Sequence, residues 1–411
     1  MRIDNQEPLK LHFFTTSRFH YDSRGKLRTF SPLFRPDYWE PFLSHFSEIV
    51  IYARVSEDVV EDDGQEFGNS QITVVPLPYY RGAIDYVRKS RRVNRFVSSQ
   101  VRNREDFYAL WVPTPFSLSL AKSVSRVRAP LLCIAIGDPR GVLESIFAGP
   151  PGRILAWLSS RSMRKTMLKA NAAVYVTLHS LQELYPTRPG VPTLARSNVR
   201  FPEQPSAISA EGPSSEVAGE TGANVSLIAV GSQEQNYKGH DLLIDAVARL
   251  QSEGYELSLT IVGQGALHEE LVQRASDQNV AEIKFLKHVG DHNAVAREVA
   301  RHDIFVMPSR TEGMPKALLE AMSVGVFSMG SDVGGIPEVL DAECVFSADS
   351  VDSLVERLRY FIDNPQLISD KARRQRLVAE DIRQNHSGNR VLEVFLGVWI
   401  EQFVGKTPPQ K

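Results

Sequence analysis

Two glutamates eight positions apart, Glu312 and Glu320, stand in the stretch "SRTEGMPKALLEAMSVG", with a glycine and a proline just after the first and an apolar run leading to the second. Carboxylates accept hydrogen bonds from vicinal hydroxyls, so two of them along one cleft suit a sugar ring on one side and a ribose on the other. The run "DIFVMPS" reads as a strand that delivers Ser309 to Gly313 into a loop. The segment "MPKALLEAM" reads as a helix with Pro315 near its first position, where a missing N–H costs nothing. Glu320 then falls about one and a half turns into that helix. A solvated helix face with an acidic start would carry the same letters. The pair gains meaning from its neighbours.

Three further turns are shaped for an anion. In "VGSQEQNYKGHDLLIDA" a strand ends at Gly231 and a helix begins near His240, with Lys238 just ahead of it. Free N–H groups at a helix start, assisted by a lysine, bind phosphate. In "IVGQGALHEEL" Gly263 and Gly265 permit close backbone approach, and in "SDVGGIPEVL" the pair Gly334-Gly335 precedes a helical turn containing Pro337 and Glu338. Each is also an ordinary turn, and Lys238 alone is an ordinary surface lysine.

These turns need a scaffold. "VSLIAVGS", "ELSLTIVG", "AEIKFLK", "DIFVMPS" and "VFSMGS" read as buried strands, separated by helical patterns such as "GHDLLIDAVARLQSEG" and "VDSLVERLRYFIDN". Alternation of this kind predicts βαβ units and a parallel sheet, with ligands at the carboxyl ends of the strands. The first half repeats the alternation through "KLHFFTTS", "SEIVIYARV", "QITVVPLP", "FYALWVP", "PLLCIAIG" and "AAVYVT". Between the halves, residues 187–224 are rich in Pro, Gly, Ser and Glu and read as a linker. The expected organisation is an N-terminal domain over 1–186, a C-terminal domain over 225–385, and a last helix, "VLEVFLGVWIEQFVG" within 386–411, crossing back to brace the first domain. Two domains also suit 411 residues, which exceed the size at which one core usually stops growing.

Taken in order, "VGSQEQNYKGHDLLIDAV", "LTIVGQGALHEEL", "HDIFVMPSRTEGMPKALLEAMSVG" and "VGGIPEVL" resemble the retaining glycosyltransferases of family 4, which have the GT-B fold: α/β, two Rossmann-like domains with parallel sheets facing a cleft. The resemblance covers residues 225 to 340. It implies a nucleoside-diphosphate sugar as donor substrate, with no cofactor and no metal. Glu312 would contact the donor sugar and Glu320 the ribose, while Lys238 and the backbone of Gly313, Met314, Pro315 and Lys316 would hold the diphosphate. The same resemblance sets His288 and Val289 of "LKHVG" at the base pocket and Gly334-Gly335 on the phosphate side. Catalysis in such enzymes is described as front-face substitution, helped by stabilising the departing diphosphate.

The sequence departs from the family in two regions. Ser232 stands where an arginine usually grips the diphosphate, which leaves that work to Lys238, with Arg310 as a second candidate. No diglycine follows the first strand and no His-Asp pair follows the fourth, so the N-terminal catalytic histidine has no counterpart by position. Asp138 is taken as the third catalytic candidate, and His20, Arg24, Gly25 and Arg140 as candidates on the acceptor side. These departures keep a second class open, a nucleotide-sugar binder with impaired catalysis, beside an epimerase or phosphorylase of the same fold.

Charge adds a clue about the acceptor. Residues 1–200 carry +10 and residues 201–411 carry −12, although the whole chain is only −2. A basic half faces something anionic. Nucleic acid is set aside because no recognised binding motif accompanies the charge. The segments "YRGAIDYVRKSRRVNRFVSSQVRNR" and "RILAWLSSRSMRKTMLK" interleave cations with apolar residues, as helices resting on an anionic membrane do, and equally as helices packed on a sheet do. The expected partners are therefore a nucleotide sugar, a glycan or lipid-linked saccharide acceptor, and an anionic membrane surface. With apolar runs too short to span a bilayer and a polar start, "MRIDNQEPLK", the expected location is the cytoplasm, peripheral on the inner face of the membrane. Cys133 and Cys344 sit in strand-like surroundings and are given no role.

Overall fold

The computed structural model describes residues 8–29, 34, 36–59, 65–147, 149–203, 205, 224–287 and 291–404. Two parallel sheets organise them. The first contains β1 (Lys10–Tyr21), β2 (Leu27–Thr29), β3 (Glu48–Val59), β4 (Gln65–Glu66), β5 (Ile72–Leu77), β6 (Phe107–Val112), β7 (Leu131–Ala135), β8 (Ala172–Tyr175) and β9 (Thr193–Ala195). Its parallel part runs β5-β3-β1-β6-β7-β8-β9, while β2 and β4 form an antiparallel extension at the end of β1. The second contains β10 (Val225–Val230), β11 (Leu257–Val262), β12 (Ile283–Leu286), β13 (Ile304–Met307), β14 (Phe327–Ser331) and β15 (Val345–Phe346), in the order β12-β11-β10-β13-β14-β15. Both orders reverse beside the first strand of their domain. That reversal opens a crevice at the strand ends, the ligand site of doubly wound sheets.

Inner strands are fully buried because helices cover both faces: β6, β7, β8, β13 and β14 are buried along their whole length. One apolar cluster lies on one face of the first sheet and continues into the core of the second domain. A separate cluster fills the opposite face of the first sheet and includes Leu392, Leu396, Trp399 and Ile400 of the helix Asn389–Glu401. That helix packs on the helix Pro36–Leu43, with the Trp399 and Phe107 rings edge to face at 5.1 Å. The C-terminal segment therefore returns to the N-terminal sheet.

Two local expectations are corrected. The segment read as linker from residue 187 contributes β9, because Thr193, Leu194 and Ala195 pair with Ala173, Val174 and Tyr175 of β8 despite the flanking prolines. The strand read as "KLHFFTTS" continues to Tyr21 and turns back as a hairpin, His20 pairing with Arg28.

Candidate active site between the domains

Glu312 and Lys238 meet at the crevice of the second sheet. Lys238 lies on the short turn after β10, Glu312 in the loop after β13, and their charged groups are 2.6 Å apart with most of each side chain shielded from water. The Ser309 hydroxyl donates to the same Glu312 oxygen at 2.8 Å, so the carboxylate is oriented by two donors. Lys238 lies across Gly231, where an added Cβ would come within 3.1 Å of its side chain. Beneath it the buried His240 ring faces the Gly231 carbonyl at 3.3 Å, and burial lowers its pKa to about 4, so it stays neutral beside the lysine. Ser309 and His240 were not singled out from sequence. Neither had a signal beyond adjacency to the motif.

Gly334 and Gly335 hold the Glu312 loop from behind. Gly334 has φ +56° and an added Cβ there would sit 2.1 Å from the Glu312 carbonyl oxygen, while the Gly335 N–H donates to the Gly313 carbonyl at 2.9 Å. The turn after them, Ile336–Glu338, is a single 3-10 turn rather than a full helix. Pro315 is the cap of the helix Lys316–Ser323 and not its first residue, since its ψ of 83° precedes the helical region. Met314 and Pro315 are buried, and the helix start that follows them offers the free N–H groups that favour anions.

Glu320 faces a second recess of about 410 Å³, shared with Lys316, His292, Tyr38, Arg196 and Asn389. Desolvation in that recess pushes the Glu320 carboxyl up to about 8, against a small lowering by Lys316. Glu312 is not among the residues that line this recess. His288 and Val289 lie outside the described residues.

Arg310 does not face the crevice. Its guanidinium makes a bidentate pair with Asp241 at 2.9 Å for both bonds and also bonds Asp349 and the Asn236 carbonyl. It is committed to holding the β13 loop on the turn after β10. Ser232 is exposed and accepts only from the Glu234 N–H at 3.3 Å.

The first domain meets this site edge-on. The backbone of Ile136 and Gly137, after β7, abuts Gly313, where a Cβ would lie 2.8 Å from the Ile136 carbonyl oxygen. Gly141 packs on Thr311 so closely that a Cβ would meet that side chain at 2.4 Å. Glu338 reaches across and accepts from the Leu178 and Ser180 N–H groups, each at 2.6 Å. Asp138 caps the helix Pro139–Ile146 and accepts from the Tyr185 hydroxyl at 2.5 Å, and Tyr185 in turn meets Ser160, which takes the Arg140 Nε donor at 3.0 Å. Burial, followed by the Asp138 carboxylate, raises the Tyr185 hydroxyl pKa strongly. Asp138 is therefore fixed beside the Gly313 loop, and Arg140 is spent on orienting that network.

The other acceptor-side candidates belong to the hairpin. His20 is buried on β1, and Arg24 and Gly25 form the turn closed on Asp22, which accepts from the Arg24 and Lys26 N–H groups at 3.0 and 2.8 Å. None of the three lines the recess at Glu320 or the larger cavity of the first domain. The sequence "DSRG" supplies hairpin chemistry, not a strand-end phosphate loop.

Comparison with known proteins defines the class. Residues 224–364 match the family described as Glycosyl transferases group 1. The chain is 24% identical to Protein CapJ of Staphylococcus aureus over 357 residues, spanning 85% of this chain and 84% of that protein. It is 33% identical to the amylovoran biosynthesis glycosyltransferase AmsK of Erwinia amylovora over 110 residues, a quarter of this chain and 27% of that one. The structure of Anabaena HepE in complex with UDP and glucose superposes with a TM-score of 0.62 at 15% identity, covering 96% of this chain and all of that one. Two parallel α/β domains with this likeness are the GT-B fold. The fold is therefore GT-B, and the domain that carries Lys238, Glu312 and Glu320 is the one that matches the glycosyl transferases group 1 family.

Proposed function

We infer that the protein transfers a hexose from a nucleoside-diphosphate sugar to a glycan acceptor in the assembly of a surface polysaccharide, with retention at the anomeric carbon. The observation that carries this reading is the Lys238–Glu312 pair, set 2.6 Å apart at the sheet's switch point and oriented by Ser309. HepE, whose structure was solved with UDP and glucose, and AmsK, named for amylovoran biosynthesis, support the donor type and the pathway class.

In this account Lys238 exchanges its bond to Glu312 for one to the donor diphosphate, and Glu312 turns to a hydroxyl of the donor sugar. Glu320 accepts from the ribose in the adjoining recess, and the N–H groups at Gly313–Lys316 face the phosphates. The acceptor hydroxyl oxygen bonds to the anomeric carbon as the bond to the diphosphate oxygen breaks. The electron pair leaves with the diphosphate, whose oxygen takes the acceptor's proton on the same face. Lys238 and the helix dipole lower the energy of that departing charge. This division of labour asks nothing of a metal, so transfer should persist in excess chelator.

The exposed apolar side chains Ile154, Leu155, Trp157 and Leu158 are flanked by the exposed Arg153 and Arg161 on the helix Pro150–Met167, which supports peripheral contact with an anionic membrane from the cytoplasmic side. Among the described residues no helix is long and apolar enough to cross one. Sedimentation with anionic vesicles at low salt tests this, and protein left in the supernatant would rule the contact out.

The functional test is transfer from UDP-, GDP- and ADP-hexoses to glycan fragments, with the product anomer read by NMR. Retention of the donor configuration is expected. An inverted product would refute the mechanism. The binder reading rests on Ser232 being exposed and Arg310 being engaged by Asp241 and Asp349; it predicts donor binding with neither transfer nor hydrolysis.

A further inference from the structure

A cavity of about 650 Å³ lies in the first domain where β1, β3 and the segments after β6 and β7 meet the helices Gly82–Ser99, Pro139–Ile146 and Pro150–Met167. Its two ends differ in chemistry. At the sheet end stands Arg54, whose guanidinium donates to the Thr16 carbonyl, where β1 bulges away from β3, and to the Tyr80 carbonyl, and lies 5.0 Å above the Tyr80 ring. All of these partners are neutral, and among the described residues no carboxylate pairs with this partly buried charge. Tyr80 and Thr114, 3% and 6% exposed, line the same cavity, and their buried hydroxyl oxygens have no hydrogen-bond partner among the described residues. Buried polar atoms are rarely left unmatched, so a cation with two idle hydroxyls describes the complement of an anion.

The other end is apolar. Val87, Val142, Leu155 and Leu158 line it and are 64%, 40%, 36% and 49% exposed, so the wall continues outward onto the helix surface that carries Ile154 and Trp157. Gly137 and Asp138 close the cavity on the side that touches the donor loop. We propose that this cavity seats the acceptor as an amphiphile: a phosphoryl group held by Arg54, Tyr80 and Thr114, and an apolar chain laid along Val142, Leu155 and Leu158. The assignment rests on the glycosyltransferase reading only for the word acceptor. The amphiphile site itself stands on the cavity.

The probes are octyl, decyl and dodecyl phosphate below their critical micelle concentrations, with inorganic phosphate and dodecanol as controls, titrated calorimetrically into the full chain. Saturable 1:1 binding is expected for the alkyl phosphates. Affinity should rise about fourfold per methylene, the equivalent of ~0.8 kcal/mol, until the cavity is filled. Leu158→Ser, at an exposed position where folding is not at stake, should abolish the chain-length dependence. Arg54→Met should bring dodecyl phosphate down to the level of dodecanol. Binding of inorganic phosphate as tight as that of dodecyl phosphate, equal binding of dodecanol, or chain-length dependence unchanged in Leu158→Ser would each overturn the proposal. Nucleoside-diphosphate binding, measured on the same variants, should be unaltered. Its absence in the wild type would defeat the donor-site reading while leaving the amphiphile result to stand by itself.

Discussion

The ends of β10 and β13 and the ends of β1 and β6 occupy equivalent places in two parallel sheets whose first six strands share one order, yet they are finished in opposite ways. The second domain closes its strands with short turns whose polar side chains, Lys238, Ser309 and Glu312, converge within hydrogen-bonding distance of one another. In the first domain β1 runs on into a hairpin, and the cavity beside it is assembled from Arg54, Tyr80, Thr114 and apolar residues of three helices. A chemistry shared by many donors can be written into one local motif. A surface that must fit one acceptor is written across the whole domain.

Replacing the central cation should separate the two regions most sharply. Lys238→Met is expected to lower kcat about 10²- to 10³-fold, the usual cost of losing one preorganised stabiliser of departing charge. It also leaves the shielded Glu312 carboxylate without its counter-ion, so the melting temperature should fall. Adding Glu312→Gln should restore stability without restoring activity, which steady-state kinetics and thermal melts on the double variant would read. Stability loss without activity loss would remove Lys238 from the chemistry.

The backing of the Glu312 loop is the next point of attack. Gly334→Ala places a methyl against the Glu312 carbonyl at a backbone conformation that side chains resist, and a loss of about 1–3 kcal/mol is expected in denaturant melts, with kcat reduced by the displaced carboxylate. Glu338→Ala removes the acceptor of two N–H groups from the first domain and should cost about 1–3 kcal/mol. If the domains are held by that bridge, donor KM should change less than acceptor KM.

These contacts also mark where the sequence was legible. Glu312, Glu320 and Lys238 stand out in the sequence as candidates because each lies in a short segment with its own turn chemistry. The strand-helix alternation announced the sheets for the same reason. The partners of Arg310 come from distant segments, Asp241 in the first turn of the helix His240–Ser252 and Asp349 in the loop after β15, and nothing local reveals them. His20, Arg24 and Gly25 misled because a bulge lets β1 overshoot, and a bulge has no fixed residue signature. Arg54, Tyr80 and Thr114 are scattered over sixty positions and become a group only when the sheet forms.

A pH measurement sharpens the distinction within the donor side. Glu320 has a folded pKa near 8 against 4.5 unfolded, so between those values the folded state holds more protons than the unfolded state. Its contribution to stability is therefore largest at low pH and is lost as pH rises toward 8. Glu320→Gln should flatten that decline in melts taken from pH 5 to 8. Ribose hydroxyls that donate to the ionised carboxylate should pull its pKa down, so nucleotide binding at pH 7 should release protons, seen as a buffer-dependent heat that Glu320→Gln abolishes. The smallest effect is expected at Arg310→Lys, which should lower stability through the lost bidentate pair while leaving donor affinity within twofold.

In the proposed mechanism Lys238 and Glu320 together hold one nucleoside diphosphate. Thermal shifts with UDP, GDP, ADP and CDP test it most directly on wild type, Lys238→Met and Glu320→Gln. At a hundredfold excess over Kd a ligand stabilises by about 2.7 kcal/mol, enough to move the melt by several degrees. The prediction is one nucleotide that does so in the wild type, with the shift lost in Lys238→Met and reduced in Glu320→Gln. No shift with any of the four, or a shift that both variants keep in full, would contradict it.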